Sequence, residues 1–324
     1  MPTTAAIDEA AAFELARQRP RRPPRLPAAD LRTRVRTSPA LRLAVPRRAA
    51  LARSAQIAEQ RWRSRRDRSE ALAGTEAIVA GTYRETELAE LAHRRLHEEE
   101  AWEALFWGPW RTAGLETGSA EAIGLARSSG RPVLISICHL GPYFLALSPL
   151  RSLGVSPIAV FGTWLFERPT AGLWGRRIAR WKQGLHRQRV RTMPAPGSFA
   201  VICGLLEAGE VVASWFDMPG GTRTQFLGKP VELASGTSRL AHATGALVLP
   251  LRAKREGTRV LTEAWQPLDP RDHGGPEELH RAIAAVHERS ILEMPEAMED
   301  PLRPGAWEDG AAPTEWVRPN AGYA

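Results

Sequence analysis

Residues 130–143 read Gly-Arg-Pro-Val-Leu-Ile-Ser-Ile-Cys-His-Leu-Gly-Pro-Tyr, and this stretch decides the predicted fold class. A short run rich in valine and isoleucine ends at His139, and a Gly-Pro pair follows at once. The pattern predicts a buried strand over 133–137, then a turn, then a helix that continues to about Ser152. In open α/β sheets ligands bind beyond the carboxyl ends of the strands, so His139 is a candidate functional residue.

The rest of the chain alternates between strand patterns and helix patterns. We predict further strands at 157–162, 211–216, 246–251 and 258–265, and helices at 85–105, 121–129, 173–188, 198–207, 236–244 and 277–292. The strand at 258–265 is expected to run antiparallel to its neighbour. This alternation predicts an α/β fold with a mixed, mostly parallel central sheet that is flanked by helices.

The positive charge of the chain is concentrated at its start. The 324 residues carry a formal charge of +8, yet residues 1–68 alone hold 17 arginines against six acidic residues. We predict a basic Arg/Pro/Ala-rich arm at 1–68, partly disordered and with a basic helix over 47–68, then an α/β domain at 69–300 and a tail at 301–324. The arm would bind an anionic membrane surface or RNA such as tRNA, or it reflects an arginine-rich coding bias.

The sequence predicts no membrane insertion. The N-terminus lacks the apolar core of a signal peptide, and the only long apolar segment, 133–150, contains a histidine, a glycine and two prolines. A strand, a turn and a helix explain that segment better than a transmembrane span does. We therefore expect a cytoplasmic chain without a transmembrane segment, with peripheral attachment to the inner face of the membrane as the alternative.

The sequence also predicts neither a disulfide framework nor a metal centre. Cys138 and Cys203 are too few for either. A thiol nucleophile at Cys138 is disfavoured, because neighbouring residues such as His139 point to opposite faces of a strand. His93 and His97 lie four residues apart on a predicted helix, a spacing that suits a metal ion. No third ligand is evident, so we expect a solvated face and no metal.

Three predicted loops follow strand ends and should approach one another. They are His139-Leu-Gly-Pro, residues 161–168 and residues 217–223. Together these loops offer a histidine, a carboxylate, glycine-rich backbone N–H groups and two arginines. Acyl transfer needs a base that deprotonates the acceptor and donors that hold the tetrahedral oxyanion. Arginines at such a site suit a phosphate group on a substrate.

The order and spacing of several short motifs resemble one protein family. They are Gly-Arg, an apolar strand and His-x-Gly over 130–141, Leu-x-x-Gly, Asp-x-Pro-Gly-Gly and Phe-x-Gly-x-Pro over 206–230, Gly-x-x-x-Leu-Ala and Thr-Gly-Ala-x-Val-x-Pro over 236–250, and Glu-x-x-Ile with Pro-Glu over 288–296. Across residues 115–300 the chain looks like the lysophospholipid acyltransferase superfamily, and most like its lipid A biosynthesis (lauroyl/myristoyl) acyltransferase branch.

The resemblance implies a glycerolipid acyltransferase-like fold and an acyltransferase activity. An acyl group would pass from an acyl-CoA or acyl carrier protein thioester to a hydroxyl or amine acceptor, with no further cofactor. His139 would be the general base, and the glycines would hold the oxyanion or a phosphate. The candidate site residues are His139 and Asp217 as catalytic groups, and Gly141, Tyr143, Glu167, Arg168, Gly220, Gly221 and Arg223 as substrate-binding groups.

One position departs from the family pattern. The family has an acid five residues after the histidine, which orients the imidazole, and this chain has Phe144 there. The carboxylate then comes from Asp217 or Glu167, or is absent; Asp217 alternatively caps the turn that it begins. Loss of an orienting acid lowers the rate greatly in hydrolytic triads. A rewired base, a much-changed substrate and a loss of catalysis all stay open.

Other functions stay open as well. The chain is alternatively a soluble transferase of specialised metabolism with an unusual donor such as aminoacyl-tRNA, or a catalytically silent lipid- or RNA-binding protein on the same scaffold. The arginines between 176 and 191 would hold a phosphorylated donor or nucleic acid, or would only face solvent. An apolar channel or core packing would explain Trp164, Trp174 and Trp181. An exposed helical stripe is expected for His273, His280 and His287.

Overall fold

The computed structural model describes residues 25–299, with gaps at 39, 42–43, 83, 109–112, 163–164, 167–170 and 196. The first part of the predicted basic arm and the predicted tail at 301–324 lie outside the described residues. The partial disorder of the arm therefore stays a prediction.

A mostly parallel sheet forms the centre of the described structure. The strands are β1 (Gly114–Leu115), β2 (Val133–Ile137), β3 (Ile158–Phe161), β4 (Arg191–Pro194), β5 (Val211–Trp215), β6 (Pro219–Phe226), β7 (Lys229–Leu233), β8 (Leu247–Glu256) and β9 (Arg259–Ala264). Within this part of the chain, seven strands form a sheet of order β1-β9-β8-β2-β5-β3-β4. Neighbours from β8 to β4 are parallel, β9 is antiparallel to β8, and β6 and β7 form a separate hairpin. The predicted mixed, mostly parallel sheet is confirmed.

Helices flank the sheet. Along the described chain they are α1 (Leu31–Arg36), α2 (Arg47–Arg63), α3 (Arg65–Val79), α4 (Leu88–Trp107), α5 (Ser119–Ser128), α6 (Gly172–Gln188), α7 (Phe199–Glu207), α8 (Gly236–Thr244) and α9 (Pro276–Glu293). Among the described residues, no helix combines the length and the apolar character that a membrane crossing requires.

Burial on both faces explains why β2 is a continuous apolar run. All five of its residues are buried. Because side chains alternate along a strand, Leu134 packs into one apolar core, and Ile135 and Ile137 pack into the other. The first core includes residues of α7, α8 and α9, and the second includes residues of α4, α5 and α6. A parallel strand between two helical layers requires this composition.

The segment after His139 is not the α-helix that we predicted. It forms two 3₁₀ turns, Tyr143–Leu145 and Ser148–Leu153. Pro149 stands near the start of the second turn, and a proline has no N–H with which to extend an α-helical hydrogen-bond ladder. The predicted loop at 217–223 is also wrong in part, since its residues from Pro219 onward belong to β6. The strand β4 has no counterpart among the predicted strands.

The basic helix predicted over 47–68 is divided into two packed helices. α2 ends at Arg63, and the Ser64 side chain then accepts a hydrogen bond from the N–H of Asp67 at the start of α3. A small apolar core joins α2, α3 and α4 through Ala58, Ala71, Ala92 and Leu96. Residue 68, the predicted end of the arm, therefore lies inside a packed helix and not in a linker.

Candidate active site

The register of two neighbouring strands brings His139 and Asp217 together. In the parallel pair of β2 and β5, Ile137 lies opposite Trp215 at the carboxyl ends of the strands. His139 follows Ile137 by two residues, and Asp217 follows Trp215 by two residues. Both side chains therefore leave the sheet side by side, at the edge where open α/β sheets bind ligands.

The Asp217 carboxylate holds His139 at two points. Its Oδ2 accepts a hydrogen bond from the backbone N–H of His139 at 2.6 Å, and its Oδ1 lies 2.9 Å from the ring Nδ1. A carboxylate at Nδ1 assigns the ring proton to that atom and leaves Nε2 as the basic nitrogen. The Asp217 side chain is fully buried, whereas the His139 side chain is 13% exposed. The carboxylate is thus enclosed by the protein, whereas part of the imidazole is accessible to solvent.

The environment makes His139 a stronger base. Burial by itself lowers the pKa of His139, but the charge of Asp217 and its hydrogen bond outweigh burial and raise the pKa above its ordinary value near 6.5. The charge of Glu299 acts in the same direction. A higher pKa strengthens the neutral ring as a proton acceptor.

Cys138 is poorly suited to act as a nucleophile. Its side chain is buried, and burial, followed by the charge of Asp217, raises the pKa of the thiol well above its ordinary value. A thiol of this kind stays protonated, and the thiolate is the nucleophilic form. The structure therefore agrees with the sequence in directing attention to the imidazole.

Five rings form a closed circle that begins and ends at His139. Successive centroid distances are 4.7 Å from His139 to Tyr143, 5.9 Å to Trp181, 5.7 Å to Phe161, 4.6 Å to Trp215 and 6.2 Å back to His139. The indole Nε1 of Trp215 is buried and has no hydrogen-bond partner within the described residues. An unsatisfied buried donor beside a reactive ring is available to a substrate oxygen.

The end of the described chain returns to the His139 loop. The N–H of Glu299 donates to the His139 carbonyl at 2.9 Å. Burial, followed by the charge of Glu299 and a hydrogen bond to it, raises the pKa of Tyr143 well above its ordinary value, so Tyr143 stays a neutral phenol beside the imidazole. Sequence reasoning missed Glu299, and its nearest signal is the Pro-Glu pair at 295–296.

Gly141 shapes the loop, but its N–H is already engaged. Its φ is +60°, and a Cβ at this position would lie 2.3 Å from the Ala253 carbonyl oxygen, so only glycine fits. The Gly141 N–H donates to the Ala297 carbonyl at 2.7 Å. The predicted use of this N–H for an oxyanion therefore needs correction, because a bond within the protein occupies the donor.

The two glycines after Asp217 lie in a hairpin and not in an open loop. The pairing of β6 with β7 shifts register between Pro219 and Thr222, which places Gly220 and Gly221 in the irregularity. A Cβ on Gly220 would lie 2.4 Å from the Cα of Ala234. Close packing of two backbones thus explains Gly220, and a role of either glycine toward a substrate stays a prediction.

The structure describes only one of the two predicted anion-binding arginines. Arg223 is exposed on β6. Glu167 and Arg168 lie outside the described residues. Substrate binding by these three residues stays a prediction.

Phe144, at the position where an acid was expected, belongs to the core. Its ring meets the rings of Trp102 and Phe106 of α4 at centroid distances of 5.3 and 5.4 Å. The site nevertheless contains a carboxylate, because β5 supplies Asp217. The contact between Asp217 and His139 agrees with the alternative of a rewired base.

A second buried histidine lies near the pair. His287 of α9 has its Nε2 at 2.8 Å from the Ser136 Oγ of β2. Burial lowers the pKa of His287 to about 4, so this ring is neutral at ordinary pH. His280 is also buried, and the rings of both histidines contact Phe216. The expectation that these two histidines form an exposed stripe is wrong, because this face of α9 packs on the sheet.

Several arginines between 176 and 191 bind acceptors within the protein. The buried Arg176 donates from Nε to the Thr37 Oγ1 at 2.6 Å. Arg180 donates to the last carbonyls of α4, and Arg191 pairs with Glu210 at 2.6 Å. These arginines tie elements of the fold together, so they do not form the solvated face that the sequence left open.

Comparison with known proteins gives distant similarities in structure and none in sequence. No family model and no curated protein matches the sequence. Among solved structures, the 1-acyl-sn-glycerophosphate (LPA) acyltransferase PlsC from Thermotoga maritima is similar over 76% of this chain and 95% of that chain, with 15% sequence identity and a TM-score of 0.36. A similarity at this level shows neither an activity nor a substrate, so the function below is argued from the site.

Proposed function

We propose that this chain is an acyltransferase in which His139 acts as the general base and Asp217 orients its ring. The proposal rests on one observation: the buried Asp217 carboxylate hydrogen-bonds both to the backbone N–H and to the Nδ1 of His139. A ring fixed in this way directs Nε2 at a substrate and has its protonated form stabilised.

The proposed reaction has two stages, the addition of the acceptor and the expulsion of the thiol. Nε2 of His139 takes the proton from an acceptor hydroxyl or amine while the acceptor oxygen or nitrogen bonds to the thioester carbonyl carbon. The tetrahedral intermediate then expels the sulfur, the C–S bond breaks, and the proton on Nε2 passes to the leaving thiolate. The products are the acylated acceptor, a free thiol and the neutral imidazole.

Trp215 is the proposed donor to the oxyanion. Its buried indole N–H has no partner among the described residues, and its ring stands in the circle with His139. The N–H of Gly141 is engaged elsewhere. A preorganised donor in a site with little water stabilises the developing negative charge.

The donor is proposed to be an acyl-CoA or an acyl carrier protein thioester. The aromatic side chains of Tyr143, Phe161 and Trp181 offer an apolar wall beside the imidazole, which suits an acyl chain. The test has separate arms for two kinds of acceptor, a glycerolipid or lipid A molecule and a small hydroxylated or amine-bearing molecule. A further arm tests aminoacyl-tRNA as the donor.

The test is thiol release and acceptor mass gain with a panel of acyl-CoAs, acyl carrier protein thioesters and charged tRNAs. We expect one donor class to give turnover and the substitution His139→Ala to lower the rate by about 10²–10⁴-fold, the usual range for loss of a general base. His242→Ala is the matched control, because His242 is exposed on α8. Turnover that survives His139→Ala at the wild-type rate would overturn the proposal.

A further inference from the structure

Glu59, His93 and His97 form a cluster outside the candidate active site. The Nε2 atoms of His93 and His97 lie 3.2 and 3.0 Å from the same oxygen, Oε1 of Glu59. The three ligand atoms are all within 4.8 Å of one another. The sequence offered the two histidines without a third ligand, and the fold supplies that ligand.

Helix packing brings the three residues together. His93 and His97 are four residues apart on α4, so they share one face, one turn apart. Glu59 is on α2, next to Ala58, which is fully buried against Ala92 in the small core of α2, α3 and α4. Small residues at this contact let the two helix backbones approach closely, so the glutamate reaches both imidazoles.

The distances from the glutamate oxygen to the two histidine nitrogens suit a metal ion. With ligand bonds of about 2.0–2.2 Å, neighbouring ligands of a tetrahedral ion are about 3.3–3.6 Å apart. The nitrogen-to-oxygen distances of 3.2 and 3.0 Å are close to that edge length. Two imidazoles and one carboxylate favour Zn²⁺ and related transition metals over Mg²⁺ and Ca²⁺, which prefer oxygen ligands.

The surroundings favour a bound cation. The nearby Arg61 is neutralised by Glu99 and Glu100, at 3.0 and 2.9 Å. The side chains of the three ligands are between 28% and 46% exposed, so an ion has a path from solvent and a fourth position is left for water.

Contacts around the rings limit their orientations. The indole of Trp62 lies 4.9 Å from the ring of His93, and the rings of His93 and His97 meet edge to face at 4.9 Å. Rings that are already oriented lose less conformational freedom when they bind a ligand.

We infer that Glu59, His93 and His97 bind a divalent transition-metal ion, Zn²⁺ in the first place, which ties α2 to α4. The inference is independent of the proposed acyl transfer, since none of the three residues belongs to the His139 site.

The experiment uses the full chain with Zn²⁺ and Co²⁺ as probes. We expect one equivalent of Zn²⁺ to bind in calorimetry and, at 100 times its dissociation constant, to raise the Tm by about 5 °C. We expect Co²⁺ to give the visible absorption of a tetrahedral site, and Mg²⁺ to have no effect at the same concentration.

Matched variants separate this cluster from other ligands. His93→Gln, His97→Gln and Glu59→Gln should each weaken Zn²⁺ binding at least about 100-fold, more than the loss of an outer-shell partner does. His242→Gln and Cys203→Ser should leave Zn²⁺ binding unchanged, because both residues lie outside the cluster. The metal-free Tm of each variant shows that it folds. Absence of Zn²⁺ binding in the wild type, or binding that survives the double variant His93→Gln/His97→Gln, would overturn the inference.

Discussion

His139 and His287 are two histidines in the same part of the molecule, and Asp217 acts electrostatically on both. Nδ1 of His139 faces the Asp217 carboxylate, whereas Nε2 of His287 faces the Ser136 hydroxyl. The charge of Asp217 outweighs the effect of burial and raises the pKa of His139. The neutral Ser136 hydroxyl does not offset burial, which lowers the pKa of His287 to about 4. The ring of His139 is thereby more basic than an ordinary histidine, and the ring of His287 is a neutral part of the core.

The two histidines also act on stability in opposite pH directions. Stability from His139 is fully present below the unfolded pKa near 6.5 and is lost as the pH rises through the raised folded value. Stability at His287 is present above pH 6.5 and is lost as the pH falls toward its folded pKa of about 4. The partner at one ring nitrogen therefore decides how basic each histidine is and in which pH range the histidine contributes to stability.

The substitution Asp217→Asn should have the largest effect, because it removes the charged partner that distinguishes His139 from His287. We expect kcat/KM to fall by about 10²–10⁴-fold, as for loss of the acid in hydrolytic triads. The acid limb of the pH–rate profile should also move to lower pH, since the carboxylate raises the pKa of His139. A profile that keeps its wild-type midpoint would show that Asp217 does not set this pKa.

The substitution Phe144→Asp tests whether the missing family acid can return. It would bury a carboxylate beside Trp102 and Phe106. The guanidinium of Arg177 lies over both of these rings, but it is already paired with Glu103. We expect a loss of about 3–5 kcal/mol in the free energy of unfolding, measured by urea denaturation. Phe144→Leu is the control, with an expected loss below about 2 kcal/mol.

A double variant makes the Phe144 test decisive for the site. Asp217→Asn/Phe144→Asp should be no more active than Asp217→Asn. Recovery of turnover in the double variant would mean that residue 144 does reach the imidazole.

The substitution His287→Gln tests the neutral member of the pair. Between pH 6.5 and 4.5 the wild type should lose about 2 kcal/mol of unfolding free energy through this ring, because its folded pKa of about 4 lies below the ordinary value near 6.5. The variant should lose less over the same range, while turnover of the folded protein stays within about threefold of the wild type. His280→Gln is the comparison variant, because burial lowers the pKa of His280 as well. An identical pH dependence in His287→Gln and wild type would contradict the assignment.

The substitution Glu299→Gln should have the smallest effect. Its charge contributes less than Asp217 does to the raised pKa of His139. We therefore expect the acid limb of the pH–rate profile to move to lower pH by less than about one unit, and the rate to stay within about tenfold. A shift as large as that of Asp217→Asn would make Glu299 an equal partner of the imidazole.

Local patterns in the sequence were sufficient to predict most elements of the sheet and its helices. β2, β3 and β5 are short and largely apolar runs, and β8 begins with such a run. This pattern depends on neighbours within a few positions. The 3₁₀ turns after His139 and the edge strand β4 were not predicted, because proline placement and edge pairing alter the backbone without changing the apolar pattern. The buried face of α9 was missed for a related reason, since its histidines look polar in sequence.

The sequence by itself determined that a buried strand delivers His139 to the open edge of an α/β sheet. Only the tertiary structure decided which carboxylate meets that imidazole. His139 and Asp217 are 78 residues apart, and their contact depends on β2 and β5 being neighbours with Ile137 opposite Trp215. Strand order and register are set by packing across the whole sheet, so no local pattern contains them. For the same reason Glu59 on α2 completes the His93–His97 cluster only after α2 and α4 have packed together.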